Sequence, residues 1–145
     1  MTAGGELGSA RAVGPSSCSR RTGLWLMAAL FVSAGTMHFL FPQVFFPIVP
    51  PFVPWPLVAI YLSGAAEVLL GLGLLVPPLS RPAAAGLCLL LVAVFPANVY
   101  HWLRGLPPAP TWYHPIRLPL QGVLIAWAFW LSRPPAQRSE PSTRD

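Results

Sequence analysis

Seven polar side chains lie within or at the ends of long apolar segments, and they are the residues of this sequence best placed to do chemistry. They are His38, Ser63, Glu67, Asn98, His101, Arg117 and Gln121. A carboxylate or an imidazole can hold or pass a proton, amides can hydrogen-bond carbonyl oxygens, and a guanidinium can hold negative charge. No H-x-x-x-H or E-x-x-H spacing occurs, so we expect no metal site.

The composition indicates where such residues must work. Of 145 residues, 54% are hydrophobic and 9% are charged, and the charged set is nine Arg and four acids without any Lys. A soluble domain carries roughly 25% charged residues. The low charge excludes an ordinary water-soluble enzyme and a nucleic-acid-binding module, and the length allows one domain. We therefore expect the lipid bilayer to be the main partner.

Four apolar segments predict the fold. They are residues 22–41, 57–76, 83–103 and 116–131. A bilayer core about 30 Å thick needs about 20 helical residues, and a chain in lipid must satisfy its backbone groups within a helix. The fourth segment fits if Arg117 reaches the interface. The sequence thus predicts an all-α membrane protein, a four-transmembrane-helix antiparallel bundle.

The arginines predict the orientation of this bundle. With the N-terminus in the cytoplasm, seven arginines lie inside and two, Arg104 and Arg117, lie outside. The positive-inside rule then favours both termini in the cytoplasm. Residues 1–21 and 133–145, rich in Arg with Gly, Ser or Pro, are predicted to be disordered cytoplasmic tails.

The arginine pair before the first segment admits a second interpretation. Ser19-Arg20-Arg21 resembles a twin-arginine export signal, and Val32-Ser33-Ala34 resembles a cleavage site. The apolar segment continues past that site, and three further segments follow. We therefore favour a membrane anchor with Arg20 and Arg21 at its cytoplasmic end.

The first outer loop, residues 41–56, contains six Pro and five aromatic residues and no charge. Proline excludes a long helix, yet Phe41, Val44, Phe45 and Ile48 have the spacing of a short interfacial helix. The loop can cover the bundle as a lid or form a plain aromatic belt.

Glu67 lies near the middle of the second segment, where a charged carboxylate costs about 3 kcal/mol unless it is paired or protonated. Ser63, Gly64 and Gly71 share its helix face, and small faces pack against other helices. The helix directions place the seven polar side chains in the outer half of the bundle. Pro96 leaves the carbonyl of Val92 without its helical donor near this group.

A purely structural role stays open for these side chains. Glu67 and Arg117 can pair to hold the second and fourth helices in register. Asn98 and Gln121 can be interhelical hydrogen-bonding residues. The alternative is a ligand or proton site.

Four short motifs, in order along residues 24–131, resemble the DoxX-like family of small membrane proteins. They are Gly35–Pro42 (GTMHFLFP), Ser63–Glu67 (SGAAE), Phe95–Asn98 (FPAN) and Arg117–Gln121 (RLPLQ). The resemblance implies a four-helix bacterial inner-membrane protein, in some members tied to oxidoreductase complexes such as thiosulfate:quinone oxidoreductase, and in distant animal relatives an assembly chaperone. It also implies a site at His38, Ser63, Glu67, Asn98, Arg117 and Gln121.

Three functions follow as hypotheses. The first is an accessory subunit of a quinone-linked membrane redox system, with no covalently bound cofactor, a quinone as candidate ligand, and a redox protein as partner. The second is a non-catalytic scaffold or assembly factor, and the third is a small-solute transporter. An oxidoreductase-associated subunit is favoured over a stand-alone enzyme, and a homo-oligomer stays open.

Overall fold

The computed structural model describes residues 17–105 and 113–134, and within these ranges the chain is helical without β-strands. Its four α-helices are α1 (Ser17–Leu40), α2 (Pro56–Gly73), α3 (Ser80–Arg104) and α4 (Tyr113–Ser132). Two 3-10 helices, Pro42–Val44 and Phe46–Ile48, lie between α1 and α2. The predicted all-helical class is confirmed.

Three of these helices have the length and composition to cross a membrane. They span Cys18–Leu40, Pro56–Gly73 and Ser80–Arg104. Large apolar side chains point outward from two of them, with Leu62, Leu69 and Leu89 between 66 and 71% exposed. In water such a continuous apolar surface would be unstable, so the surface is compatible with surrounding lipid.

The predicted helix boundaries need correction. The helix predicted over residues 22–41 begins at Ser17, so residues 17–21 are not part of a disordered tail. The physical reason is Arg20, whose guanidinium donates hydrogen bonds to the carbonyls of Leu131 and Arg133 and so ties this turn to α4. The remaining predicted tail residues, 1–16 and 135–145, lie outside the described residues.

The turn between α2 and α3 also differs from the prediction. The helix predicted to reach residue 76 ends at Gly73, because Leu75 and Val76 donate to carbonyls three residues back and two prolines follow. The helix predicted over residues 83–103 begins at Ser80, since Pro82 is tolerated in a first turn. The fourth helix, predicted over 116–131, spans Tyr113–Ser132.

The helices pack in two close pairs, α1 with α2 and α3 with α4, and further contacts join α2 to α3 and α1 to α4. In the first pair, Gly35 approaches Gly64 while Gly71 approaches Ala28, so α1 and α2 run in opposite directions.

The second pair also runs in opposite directions. Arg81 donates to the carbonyl of Ser132, and Asn98 donates to Gln121. The start of α3 therefore lies beside the end of α4.

The apolar core occupies one half of the molecule, where α1 begins and α4 ends. Its buried side chains form one cluster: Met27, Ala28, Phe31, Leu74, Ala83, Ala84, Leu87, Leu91, Ala128 and Leu131. Three buried polar residues, Asn98, His101 and Gln121, lie towards the other end of α3 and α4, whereas buried Ser80 lies at the start of α3. Most of the apolar cluster is thus separated from these three residues along the helix axes.

Candidate functional site

Glu67 and His38 face each other across the α1–α2 contact. The Nδ1 atom of His38 lies 3.7 Å from Oε2 of Glu67, and both side chains are nearly buried, at 12 and 13% exposure. Nδ1 also lies 2.9 Å from the carbonyl oxygen of Ala34, to which it donates a hydrogen bond. This bond assigns the proton of a neutral ring to Nδ1 and leaves the lone pair on Nε2.

The carboxylate of Glu67 is incompletely satisfied. Its Oε2 atom is buried and has no hydrogen-bond partner in the described part of the chain. Most buried polar atoms in folded proteins have a partner, so an exception needs a reason such as a missing ligand, water or proton.

Two glycines allow this approach of α1 to α2. A Cβ atom on Gly64 would lie 2.6 Å from Cβ of His38 and 2.9 Å from the carbonyl oxygen of Gly35. A Cβ on Gly35 would lie 3.0 Å from Cβ of Glu67. The small face predicted around Glu67 is therefore the surface against which α1 packs, and it brings His38 to the carboxylate.

An aromatic residue from the loop covers His38. The ring of Phe45 stacks on the imidazole with centroids 3.8 Å apart and an angle of 19° between planes. The loop does not form the single helix that the spacing of Phe41 and Ile48 permits. It forms two 3-10 turns instead, because Pro42 and Pro47 have no backbone N–H for a continuous helix.

A second polar group joins α3 to α4. The Nδ2 atom of Asn98 donates to Oε1 of Gln121 at 2.6 Å, and Nε2 of Gln121 donates to the carbonyl of Leu91 at 2.8 Å. Both side chains are buried. This chain of hydrogen bonds has the form of the interhelical contact that the structural interpretation predicts.

The hydrogen bond from Gln121 to the carbonyl of Leu91 lies beside the turn of α3 that Pro96 distorts. Pro96 is inside the helix and lacks the N–H that would bond Val92. In a broken membrane helix, a side chain or water can satisfy the carbonyl that has lost its donor. The amide of Gln121 instead binds the carbonyl of the preceding residue, so the side-chain contact reaches the distorted turn one residue earlier.

The other predicted site residues surround these two groups. His101 is buried one turn after Asn98, and Ser63 is half-buried on α2. Arg117 is half-buried near the start of α4 and is close enough to His38 to interact with it electrostatically. Among the described residues, His38 lies within ion-pair distance of Glu67.

The structure thus brings the predicted residues together in two groups rather than one. Glu67 and His38 form the first between α1 and α2, and Asn98 and Gln121 form the second between α3 and α4. The 3-10 turn Phe46–Ile48 contacts α3 and lies next in sequence to Phe45. The loop therefore connects the α1–α2 site to the second pair of helices.

Sequence reasoning missed Phe45 as a contact of the site, although its position in the aromatic loop was the available signal. It also missed Gly35, which precedes His38 by three residues and so lies on the same helix face.

Comparison with known proteins gives one family match. The model of the family described as Domain of unknown function (DUF8561) matches residues 27–132. No curated protein and no solved structure matches the chain.

Proposed function

Because the chain belongs to the DUF8561 family, whose description assigns no activity, we propose its function from the site itself. The protein is a DoxX-like integral membrane protein of four antiparallel membrane helices in the bacterial inner membrane. It acts as an accessory subunit of a quinone-linked redox system. The ligand and proton site is at Glu67 and His38.

The proposal treats α4 as a fourth membrane-spanning helix. That helix has 20 residues, about 30 Å at 1.5 Å per residue, which matches a bilayer core. Its outward side chains include Leu120, Val123 and Phe129, each about half exposed. Its contact with α3 supplies the packing that a membrane helix needs.

The arginines support cytoplasmic termini. Arg20 and Arg81 both bond to carbonyls at the end of α4, and Arg133 follows that helix directly. These positive charges therefore lie at one end of the bundle, and the positive-inside rule assigns that end to the cytoplasm. The bonds of Arg20 also favour an uncleaved anchor over an export signal.

One observation supports the ligand site above all others: the buried Oε2 of Glu67 has no hydrogen-bond partner in the described ranges and faces an imidazole. A carboxyl group in a low-dielectric site is suited to hold a proton or to bond a ligand. Asn98 and Gln121 already satisfy each other, so they are weaker candidates for direct ligand contact.

A bound quinone would supply two-electron chemistry, with the electrons coming from a partner redox protein. Glu67 in its protonated form would donate its proton to a carbonyl oxygen of the reduced ligand. Neutral His38 would restore that proton from Nδ1 while its Nε2 accepts a proton from solvent, so that the ring stays neutral. Phe45 covers one face of this ring, and Arg117 would hold negative charge that develops on the ligand.

The test is quinone binding to the purified protein. We expect Glu67→Ala to weaken binding by at least tenfold, about 1.4 kcal/mol. The matched control is Ser33→Ala, which removes an exposed hydroxyl that bonds only within α1. Equal binding by wild type and Glu67→Ala would refute the site.

The second candidate is a scaffold or assembly factor, and the hydrogen bonds of Asn98, Gln121 and Leu91 favour it. It requires that the polar residues only fix the fold. Loss of partner activity in Glu67→Gln at unchanged thermal stability would contradict it. A transporter is less well supported, because Met27, Phe31 and Leu87 fill the other half with apolar side chains.

A further inference from the structure

A groove of about 510 Å³ lies between the first turns of α1 and the last turns of α4. Its sides include Leu26, Trp127 and Trp130, with Thr22 and Gly23 between them. This groove lies at the end opposite to Glu67 and His38, so the proposed ligand site does not use it.

Gly23 allows two indole rings to pack closely against α1 at this groove. A Cβ atom there would lie 3.3 Å from Nε1 of Trp127 and 3.5 Å from the ring of Trp130, so these rings already fill the space beside Gly23. Leu26, Trp127 and Trp130 form an open, largely apolar groove against which a hydrocarbon chain can lie.

Four arginines lie in or next to the segments that form this end of the groove. Arg20 and Arg21 lie between the lining residues Ser19 and Thr22, and Arg133 follows α4. Arg81 bonds to the carbonyl of Ser132 at 3.3 Å. Glu67 is the one acidic residue within 17–105 and 113–134, and it contacts the last turn of α1 rather than the first.

Three of these arginines are held in place, and within residues 17–105 and 113–134 none of the four forms an ion pair with an acidic residue. The bonds described for Arg20 use Nη2, and the bond described for Arg81 uses Nε. A guanidinium has five N–H donors, so each can also bond a phosphate oxygen. The guanidinium of Arg133 lies 4.4 Å from the ring centroid of Phe129, and Arg21 is exposed.

We propose that the α1–α4 groove and its four arginines bind an anionic phospholipid, with one acyl chain against Trp127 and Trp130 and the headgroup phosphate on the arginines. Basic pockets between membrane helices on the cytoplasmic side recognise such headgroups. We choose an anionic lipid because its net negative charge complements the positive charge of the four arginines. A zwitterionic headgroup has no net charge and would leave the charge of the arginines uncompensated. The inference uses the membrane placement proposed above but not the quinone.

The test is native mass spectrometry of the full chain in detergent with phosphatidylglycerol or phosphatidylcholine of identical acyl chains. We expect one phosphatidylglycerol to be retained in preference to phosphatidylcholine. The double variant Arg21→Gln/Arg133→Gln should lose this preference roughly tenfold, since each arginine near the surface contributes to anionic lipid binding. Arg104→Gln, an exposed arginine at the other end, should leave it unchanged.

A second variant tests the apolar surface of the groove. Trp130→Ala should reduce retention of both lipids, because it removes one wall. Thermal melting of the same samples gives an independent measurement, in which phosphatidylglycerol raises the Tm of wild type but not of the double arginine variant. Any one of three outcomes would overturn the proposal. Wild type retains both lipids equally, the double variant keeps the preference for phosphatidylglycerol, or the protein forms a dimer in place of the lipid adduct. If wild type binds no quinone but keeps its preference for phosphatidylglycerol, the proposed Glu67 site fails and the lipid site stands.

Discussion

The amides of Asn98 and Gln121 meet at 2.6 Å in the buried contact between α3 and α4. Each lies on a different helix, 23 residues apart in sequence, and Gln121 extends the contact to the backbone of Leu91. This pair fixes the rotation of α4 about its axis relative to α3, because an amide can bond in few directions.

Replacing Gln121 should therefore weaken the fold. Gln121→Leu removes both hydrogen bonds, and interhelical bonds in membranes contribute about 0.6 kcal/mol each on average. We expect a loss of about 1–2 kcal/mol in the free energy of unfolding, measured by thermal denaturation in detergent. The double variant Asn98→Leu/Gln121→Leu should lose less than the sum of the two single variants. Additive losses would show that the two amides do not act together.

Unlike Gln121→Leu, Glu67→Gln should not lower the free energy of unfolding. Oε2 of Glu67 is buried without a hydrogen-bond partner among the described residues, so ionising this carboxyl group has a desolvation cost that a neutral amide avoids. We expect the free energy of unfolding to stay within about 0.5 kcal/mol of wild type or to rise. A fall comparable to that of Gln121→Leu would indicate that Glu67 is a structural residue, as the scaffold hypothesis requires.

The contact between Gly35 and Gly64 predicts a strong effect of a single methyl group. Gly64→Ala would place Cβ 2.6 Å from Cβ of His38, so α1 must shift, at a cost of about 1–3 kcal/mol. The shift also moves His38 from Glu67 and should weaken quinone binding. Gly122→Ala is the control, since no atom lies within 4 Å of its added Cβ. Equal stability of the two variants would be incompatible with the close packing of α1 on α2.

Cysteine labelling tests the orientation of the chain. Cys18 is exposed at the start of α1, and Phe52, 75% exposed, lies in the loop at the other end. In a Cys88→Ser background, a membrane-impermeant maleimide should label Cys18 only in inverted vesicles. With Cys18 also replaced by Ser, Phe52→Cys should be labelled only in right-side-out vesicles. The reverse pattern would place both termini outside and contradict the arginine count.

Hydropathy was sufficient to predict that the four segments are helices, because a long apolar segment with almost no charge is nearly always helical. Hydropathy was less informative about the residues at which the helices begin and end. Arg20 extends α1 by bonding to Leu131, a contact between residues 111 positions apart that no local pattern encodes. The start of α1 thus depended on a tertiary contact, whereas the end of α2 followed from local backbone bonds and prolines.

The site shows a similar limit. Counting residues along a helix predicts depth in the membrane, and depth placed Glu67, His38 and Arg117 in one half of the bundle. Depth does not predict how each helix is rotated about its axis or which helices pack against each other. The partner of Glu67 was therefore left open, and the close approach of α1 at Gly35 and Gly64 is what brings His38 to the carboxylate.

The bonds of Arg20 to Leu131 and Arg133 also order the assembly of the protein in time. Arg20 leaves the ribosome before α2, α3 and α4 exist, and its acceptors are made more than a hundred residues later. Until α4 has been made, the carbonyls that accept these bonds do not exist, so the contact between α1 and the end of α4 forms last. The first helix is thus made early but fixed late, and a chain interrupted before residue 131 lacks the contact that joins its two ends.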